Sequence, residues 1–416
     1  MERPNVLVIG AGPAGSCAAA MLAKGGLSVQ VVEAQQFPRF VIGESLLPQC
    51  MDILAEAGLV ERVEQAGYQI KTGGTFRHRE KTEVFDFSQT FTEGWDHTYQ
   101  VMRDRFDQLL VDGAKELGAQ VAFGHRVESV DFGGDSPTVV VASEGGESHT
   151  VRPEFVIDAS GYGRVLPRLL GLEANAGMAG RTSVFCHIRD NGELALDYRR
   201  ISILIHPENH EVWYWHIPLH AGRSSVGVVG PDSYFERSGG DAEAALRTAM
   251  SELSDFAQAF PTPEFLFPVQ RKTAFAKAVS RMCGPGYAIL GNAGEFLDPV
   301  FSSGVTVALK SASLASRALL RERAGETVDW EQAYEAELRR GIDVFKTYVN
   351  AWYSGTLQRI FFAEQKVESV KRKICSVLAG YAWDRDNEYA ASHARVMHAL
   401  GSLFGGEGAS GRLDQQ

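Results

Sequence analysis

At 416 residues the chain is long enough to bury a large core and to divide into two or three lobes. Its composition, 44% hydrophobic and 22% charged, is ordinary for a soluble globular protein, and 41 Lys+Arg against 52 Asp+Glu leave a net charge of -11. That sign speaks against nucleic acid or an anionic membrane as the main partner, since both recruit basic surface. The strand pattern begins at Val6, leaving no room for a signal peptide, and no apolar run is long enough to span a bilayer, so the expected location is cytoplasmic. Cys17, Cys50, Cys186, Cys283 and Cys375 form no C-x-x-C and read as reduced core thiols, and no histidine spacing supports a metal.

The first organised stretch runs from Val6 to Glu33. Val6-Leu7-Val8-Ile9 predicts a buried strand. Gly10-Ala11-Gly12-Pro13-Ala14-Gly15 is a glycine turn opening a helix, and Val29-Gln30-Val31-Val32-Glu33 is a second strand ending in a carboxylate. Gly10 suits the tight turn, Gly12 the close approach of a pyrophosphate to the backbone, and Gly15 the packing of helix on strand. The helix starts at the phosphate, where its free N–H groups and positive dipole end favour negative charge. Glu33 is spaced to accept ribose hydroxyls. The motif implies a dinucleotide without saying which one.

Next, Ile42-Gly43-Glu44-Ser45 leads into an apolar-periodic helix over 46–59. Ser45 reads either as its N-cap or as part of a loop over the cofactor. Residues 68–76 look extended, with Lys71 just ahead of Gly73-Gly74. A lone strand lysine is ordinarily solvated. Lys71 instead sits among Ile70, Gly73 and Phe76, and an apolar site would lower its amine pKa and make it a usable acid or nucleophile. Arg103 stands at the entrance of an amphipathic helix over 104–117, suited to a phosphate or a carboxylate. Residues 119–158 read as three or four short strands with turns at 133–136 and 145–148. The last of them ends in Asp158-Ala159-Ser160-Gly161, the kind of strand end where α/β sheets bind ligands.

From 180 to 270 the chain turns β-branched and aromatic, and 182–188, 201–205, 212–217 and 225–229 predict antiparallel strands of a second sheet. Strand alternation puts Trp213, Trp215 and Ile217 on one face and Tyr214 and His216 on the other. Two indoles so placed make an apolar wall, serving either core packing or a site. The α/β pattern returns at 286–291, a buried strand followed by Asn292 and by Asp298-Pro299-Val300-Phe301-Ser302-Ser303-Gly304-Val305. A helix follows over 305–321, with Ser302 and Ser303 as candidate caps and its first N–H groups as a second anion site. Residues 330–403 are helical in pattern, and the tail from 405 is compositionally disordered. The single glycine fingerprint leaves two alternatives: a flavoprotein that meets nicotinamide transiently, or one whose flavin another protein reduces.

Taken together, these residues resemble the flavin-dependent halogenases, within the FAD monooxygenases related to p-hydroxybenzoate hydroxylase, from about residue 5 to about residue 325. The glycine motif, Val101-x-Arg103-x-x-Phe106-Asp107, Asp158-Ala159-Ser160-Gly161 and Gly291-Asn292-Ala293 carry the broad class. Lys71 before Gly73-Gly74, Trp213-Tyr214-Trp215-His216-Ile217-Pro218 and the loop 298–305 carry the subfamily, in the phenol, pyrrole and aryl-polyene form more than the tryptophan form.

The resemblance implies an α/β fold. A Rossmann-like FAD-binding domain of glutathione-reductase type covers 1–75, 98–178 and 272–328, and an inserted antiparallel β-sheet substrate domain covers 76–97 and 179–271. A C-terminal helical region covers 329–403, and 404–416 is the tail. It implies FAD held by Gly10, Gly12, Ala14, Gly15 and Glu33, by Arg39, Ser45 and Arg103, by Asp158 and Gly161, and by Asn292, Asp298, Pro299, Gly304 and Val305. A halide, as co-substrate, is expected at the Ser303 and Gly304 amides. Hypohalous acid then reaches Lys71, which holds it by hydrogen bonds or as a haloamine, while Trp213 and Trp215 keep the substrate away from the flavin. The implied partners are a separate flavin reductase, met transiently, and a small electron-rich aromatic, phenolic or pyrrolic, free or carrier-tethered, in secondary-metabolite biosynthesis.

Two departures stand out. Asn292 takes the place of a common Asp at the ribityl contact, and Thr306 that of a histidine in many carrier-type members. No carboxylate declares itself as the base for the ring proton. The alternatives are a hydroxylase or dehydrogenase of the same fold, and a non-catalytic flavoprotein partner of carrier proteins. For the last, Arg339-Arg340 and Lys371-Arg372-Lys373 are the local basic candidates, although a solvated helix face explains them as well.

Overall fold

The computed structural model describes residues 4–192, 194, 196–273, 276–365 and 367–404; the tail expected to be disordered lies outside them, apart from Phe404 at the end of a helix. The chain forms two compact units. One comprises Met1–Tyr68, Val101–Ala179 and Ala276–Arg340, and the other Gln69–Gln100, Gly180–Phe275 and Gly341–Gln416.

The first unit is built on a six-stranded sheet in the order Cys283–Gly284, Tyr287–Ile289, Phe155–Asp158, Val6–Ile9, Val29–Glu33, Gln120–Phe123. All pairs are parallel except the first. The two strands of the glycine motif are wholly buried, as their unbroken apolar runs require of parallel strands covered on both faces. The helix Pro13–Lys24 starts with proline in its first turn, where the missing N–H costs nothing. A three-stranded antiparallel sheet, His125–Asp131, Thr138–Ser143 and Ser148–Val151, adds Val127, Val139, Val141 and Val151 to the core under Leu7, Ile9 and Val156.

Two helix boundaries differ from the sequence reading. The helix expected over 46–59 starts only at Gln49 and ends at Ala57, with a second short helix, Val60–Gln65, behind Gly58. Pro48 accounts for the late start, because proline pushes the residue before it out of the helical region. The helix expected from 305 begins earlier and runs Ser303–Arg323.

The second unit holds a seven-stranded sheet in the order Gln270–Thr273, Thr182–Arg189, Arg223–Gly230, Trp213–Leu219, Arg200–Ile205, Gly73–His78, Lys81–Asp86. Every pairing is antiparallel except Arg200–Ile205 with Gly73–His78, which is parallel. One face carries Val184, Cys186, Leu204, Tyr214, Val226 and Val228 and packs under the helices Ala242–Ser251 and Ser254–Ala259. The opposite face carries Trp213 and Trp215, as alternation requires. A separate ribbon pairs Gln69–Lys71 antiparallel with Thr98–Gln100, which groups Lys71 with this unit and not with the nucleotide sheet.

The helices Glu337–Tyr353, Thr356–Phe361, Glu368–Leu378 and His393–Phe404 complete the chain. Four of the five basic candidates are ion-paired, Arg339 with Glu335, Arg340 with Glu337, Lys371 with Glu83 and Lys373 with Glu388, and Arg372 donates to the Thr90 carbonyl at 3.1 Å. Among the described residues, no helix is long and apolar enough to cross a membrane and no cluster of three His, Cys, Asp or Glu could hold a metal. All five cysteines are buried, and among the described residues none is joined in a disulfide.

Candidate active site

The glycine turn separates three requirements that the motif combines. Gly10 has φ +96°, and a Cβ there would lie 2.6 Å from the Ala159 carbonyl oxygen. At Gly15 a Cβ would lie 1.9 Å from the Gly10 carbonyl oxygen, so helix and strand touch there. At Gly12 it would meet only the Arg39 guanidinium, at 3.7 Å. Protein packing therefore demands glycine at positions 10 and 15 but not at 12, where the space beside the backbone suits a ligand. Glu33, at the end of the second strand, accepts the Ala11 N–H at 2.8 Å and the Gln35 N–H at 2.9 Å. Each carboxylate oxygen retains a lone pair for a ribose hydroxyl.

Arg39 and Arg103 converge on a residue whose role the sequence did not declare. Asp107, fully buried, takes Arg103 in a bidentate pair at 2.7 and 3.0 Å and Arg39 at 3.0 Å. Arg103 also donates to the Ile42 and Gly43 carbonyls at 3.1 and 3.2 Å. Of its two possible partners, phosphate or carboxylate, it has taken the carboxylate. The pair pins the 42–43 loop and holds Arg39 beside Gly12. Ser45 follows in that loop, four residues ahead of the helix it was a candidate to cap. Its Oγ is buried and has no hydrogen-bond partner among the described residues, which leaves it available to a bound group.

Asp158 is spent inside its own turn, accepting the N–H of Ser160 at 2.9 Å and of Leu166 at 2.6 Å. Gly161 opens the following turn, and a Cβ there would meet nothing within 4 Å. Asn292 is half-buried in the turn Gly291–Ala293, which is tied to the helix Ser303–Arg323 by the Gly291 N–H donating to Ser311 Oγ at 2.9 Å. A Cβ at Gly291 would lie 3.7 Å from that of Ala14, so this turn and the glycine turn are neighbours. Asp298 is buried and accepts the Val300 N–H at 3.1 Å; Pro299 is exposed and Val305 buried.

Neither Ser302 nor Ser303 caps the helix Ser303–Arg323. Ser302 occupies the cap with φ 57°, a left-handed conformation that costs a non-glycine residue about 1 kcal/mol, and its side chain makes no capping hydrogen bond to the first N–H groups. A Cβ at Gly304 would meet nothing within 4 Å. A 21-residue helix thus presents uncapped N–H groups beside open space, the arrangement that favours an anion or a carbonyl oxygen. Thr306, where many carrier-type relatives have histidine, is fully buried with its Oγ1 3.2 Å from Cys50 Sγ.

In the second unit Lys71 is 1% exposed, the one lysine that is buried among the described residues. Its Nζ lies 5.4 Å from the centre of the Phe87 ring. The Gly73-Gly74 pair beside it has an internal purpose, since a Cβ at Gly73 would lie 2.1 Å from the Phe85 carbonyl oxygen of the adjacent strand. Trp213 and Trp215 are 1% and 5% exposed with ring centres 6.0 Å apart. Trp213 donates its indole N–H to the Tyr353 hydroxyl at 2.8 Å, and Trp215 donates to Ser225 Oγ at 3.1 Å. The strand Thr98–Gln100 of the lysine ribbon packs beside the strand that carries both indoles.

The other face of the sheet hides a polar cluster. Asp190 accepts from Ser224 Oγ at 2.5 Å, Tyr198 OH at 2.8 Å and the Gly192 N–H at 2.9 Å, with His216 Nε2 at 2.8 Å. Burial would raise the carboxyl pKa, but the hydrogen bonds from His216, Ser224, Gly192 and Tyr198 together hold it well below the usual range.

Residues 3–327 match the FAD binding domain family, which covers the nucleotide motif and both tryptophans. The 1H-pyrrole-2-carbonyl-[peptidyl-carrier protein] chlorinase of Pseudomonas fluorescens is 30% identical over 379 residues, spanning 84% of this chain and 83% of that protein. The chain belongs to the flavin-dependent halogenases. Tryptophan 2-halogenase of Chondromyces crocatus is 31% identical over 343 residues, but the chain spans only 65% of its length. Among solved structures, a flavoprotein/dehydrogenase from Cytophaga hutchinsonii superimposes with a TM-score of 0.94 at 40% identity, covering 97% of this chain and 99% of the other. The flavin-dependent brominase Bmp2 superimposes with a TM-score of 0.82 at 25% identity, covering 97% and 99%. The halogenase family brings FAD as cofactor and a halide as co-substrate, and the donors found around the glycine turn suit a flavin dinucleotide.

Proposed function

We propose that the chain halogenates an electron-rich aromatic, phenolic or pyrrolic, free or tethered to a carrier protein, with Lys71 presenting the electrophilic halogen. The observation that carries this reading is a lysine buried to 1% exposure, on a ribbon beside a wall of two tryptophans, in a flavoprotein of the halogenase family. Lysines are ordinarily solvated, and taking an ammonium out of water is costly, so a buried lysine in this place calls for a reason. The carrier-bound form is supported by the name of the Pseudomonas fluorescens relative.

Bound as reduced FAD, the cofactor supplies, with O2, the oxidising equivalent that converts chloride or bromide to hypohalous acid. The residues of this chain do the rest. In this reading the glycine-turn amides hold the diphosphate and Glu33 the ribose. Asp107 fixes Arg39 and Arg103 around the 42–43 loop. The Ser303 and Gly304 amides attract the halide at the helix start. Lys71 donates hydrogen bonds to the oxygen of the hypohalous acid and weakens its bond to halogen. The ring forms its carbon–halogen bond, the oxygen–halogen bond breaks, and the ring proton leaves with the hydroxide as water. Trp213 and Trp215 exclude water from the aromatic substrate. A separate flavin reductase supplies electrons, consistent with the single glycine fingerprint.

The test is turnover with an added flavin reductase, chloride or bromide, and a panel of phenols, pyrroles and carrier-bound pyrroles, read by mass spectrometry. Halogenated product that depends on halide and vanishes in Lys71→Ala supports the reading. Halide-independent, substrate-stimulated NADPH oxidation by the protein alone points instead to a hydroxylase or to a dehydrogenase, as the Cytophaga hutchinsonii flavoprotein/dehydrogenase is described.

A further inference from the structure

The ribbon that carries Lys71 holds more chemistry than one lysine. Its register sets Lys71 opposite Thr98, Ile70 opposite Tyr99 and Gln69 opposite Gln100. Residues directly opposed in an antiparallel pair, and those two apart along a strand, project to the same side. Lys71, Thr98 and Gln100 therefore share one face with Gln69, and Ile70 and Tyr99 share the other. Gln69 is half-buried and donates to the Ile70 carbonyl at 3.2 Å. The other three are 1%, 0% and 1% exposed.

Thr98 Oγ1 and both the Oε1 and the Nε2 of Gln100 are buried without a hydrogen-bond partner among the described residues. Buried polar side-chain atoms are nearly always paired, and leaving them unpaired weakens the fold. Three such atoms on the face of the buried lysine mark a place kept polar for something that binds there.

We propose that Thr98 and Gln100, together with Lys71, form the receiving site for hypohalous acid; this rests on the halogenase reading above. The acid is small, with one O–H to donate and oxygen lone pairs to accept. The Lys71 ammonium can only donate. It serves the oxygen but cannot take the proton. The Gln100 carbonyl or the Thr98 hydroxyl supplies the missing acceptor, and the Gln100 NH2 adds a second donor to the oxygen. The face thus matches an intact hypohalous acid, turned so that its halogen points away from the polar groups, where a ring can capture it. Capture follows the balance given above: a carbon–halogen bond forms, the oxygen–halogen bond breaks, and ring proton and hydroxide leave as water.

The test compares wild type with Thr98→Val, Thr98→Ser and Gln100→Leu. It reads halogenated product per reduced FAD consumed, hypohalous acid escaping to a 1,3-diketone trap, FAD affinity and the thermal midpoint. Thr98→Val and Gln100→Leu are expected to lower product per flavin about tenfold, with a matching rise in trapped halogen. FAD affinity should hold, and the thermal midpoint should stay level or rise, because an unpaired buried polar group has been removed. Thr98→Ser should remain within about twofold of wild type, since it keeps the hydroxyl. Product per flavin unchanged in both Thr98→Val and Gln100→Leu overturns the inference. So does a thermal midpoint that falls in step with activity, which is what a structural role would give. A wild type that yields no halogenated product sinks the halogenase reading and this inference with it, whereas wild-type turnover with unaffected variants sinks the inference alone.

Discussion

The second unit buries two polar clusters on different elements, and they are finished to different degrees. Around Asp190 the carboxylate is saturated by His216, Ser224, Tyr198 and the Gly192 N–H, under the helices that close that face of the sheet. Around Lys71, the Thr98 hydroxyl and both ends of the Gln100 amide have no hydrogen-bond partner among the described residues, although they are as deeply buried. The first cluster therefore has the economy of a structural knot, in which burial is offset by hydrogen bonds within the protein. The second has the signature of a site, where part of the pairing is left to a bound species. Burial alone does not separate the two; among the described residues only His216 Nδ1 lacks a hydrogen-bond partner in the first cluster, whose carboxylate is saturated, against three atoms in the second.

The contrast can be broken most forcefully at Asp190. Asp190→Ala is expected to cost about 3 kcal/mol or more, because it strands His216, Ser224 and Tyr198 in the core, and chemical denaturation measures it. A loss under about 1 kcal/mol would mean that the cluster is no knot. At Lys71 the expectation is reversed. Lys71→Ala should cut halogenation on the order of 100-fold or more, and Thr98→Val beside it should lower activity while leaving the midpoint of denaturation level or raised. Were stability and activity to fall together, the two clusters would be alike.

A smaller effect is expected in acid. The carboxyl of Asp190 titrates lower in the folded than in the unfolded chain, so its ionised form stabilises the fold fully above the ordinary carboxylate value of about 3.9 and progressively less as pH falls below it. Thermal melts between about pH 5 and pH 3 should show a steeper loss for wild type than for Asp190→Asn; equal slopes would remove Asp190 from the account. The smallest change is at the helix start. Ser302→Gly relieves the left-handed strain and should raise stability by about 1 kcal/mol, read from the denaturation midpoint.

The nucleotide half of the chain was largely legible in the sequence because its signals are local. Gly10, Gly12 and Gly15 lie within six residues of one another, and Glu33 ends the next strand, so turn, helix and carboxylate could be placed by spacing. Alternation was enough to separate the faces of Trp213 and Trp215 from Tyr214 and His216. What escaped depends on pairing between distant residues. Asp107 stood in a quoted motif, yet only the fold shows it holding both Arg39 and Arg103. Thr98 becomes informative only when its strand lies opposite that of Lys71, and Asp190 only when it reaches His216 on another strand. The helix start at Gln49 was within reach, because Pro48 was in plain sight.

One small residue bears on any effort to change what this enzyme accepts. A Cβ at Gly227 would fall 2.3 Å from the Trp215 ring and 2.7 Å from the Phe185 Cβ, so the indole lies directly over a backbone with no side chain. Trp215 and Gly227 are a single fitting in two pieces. Trimming the tryptophan opens a hollow down to the strand beneath, and filling that hollow from Gly227 also requires the Phe185 Cβ, 2.7 Å away, to give way. On the proposed reading, in which this wall faces the substrate, its scope is to be redesigned with the floor of Gly227 and Phe185 chosen along with the wall.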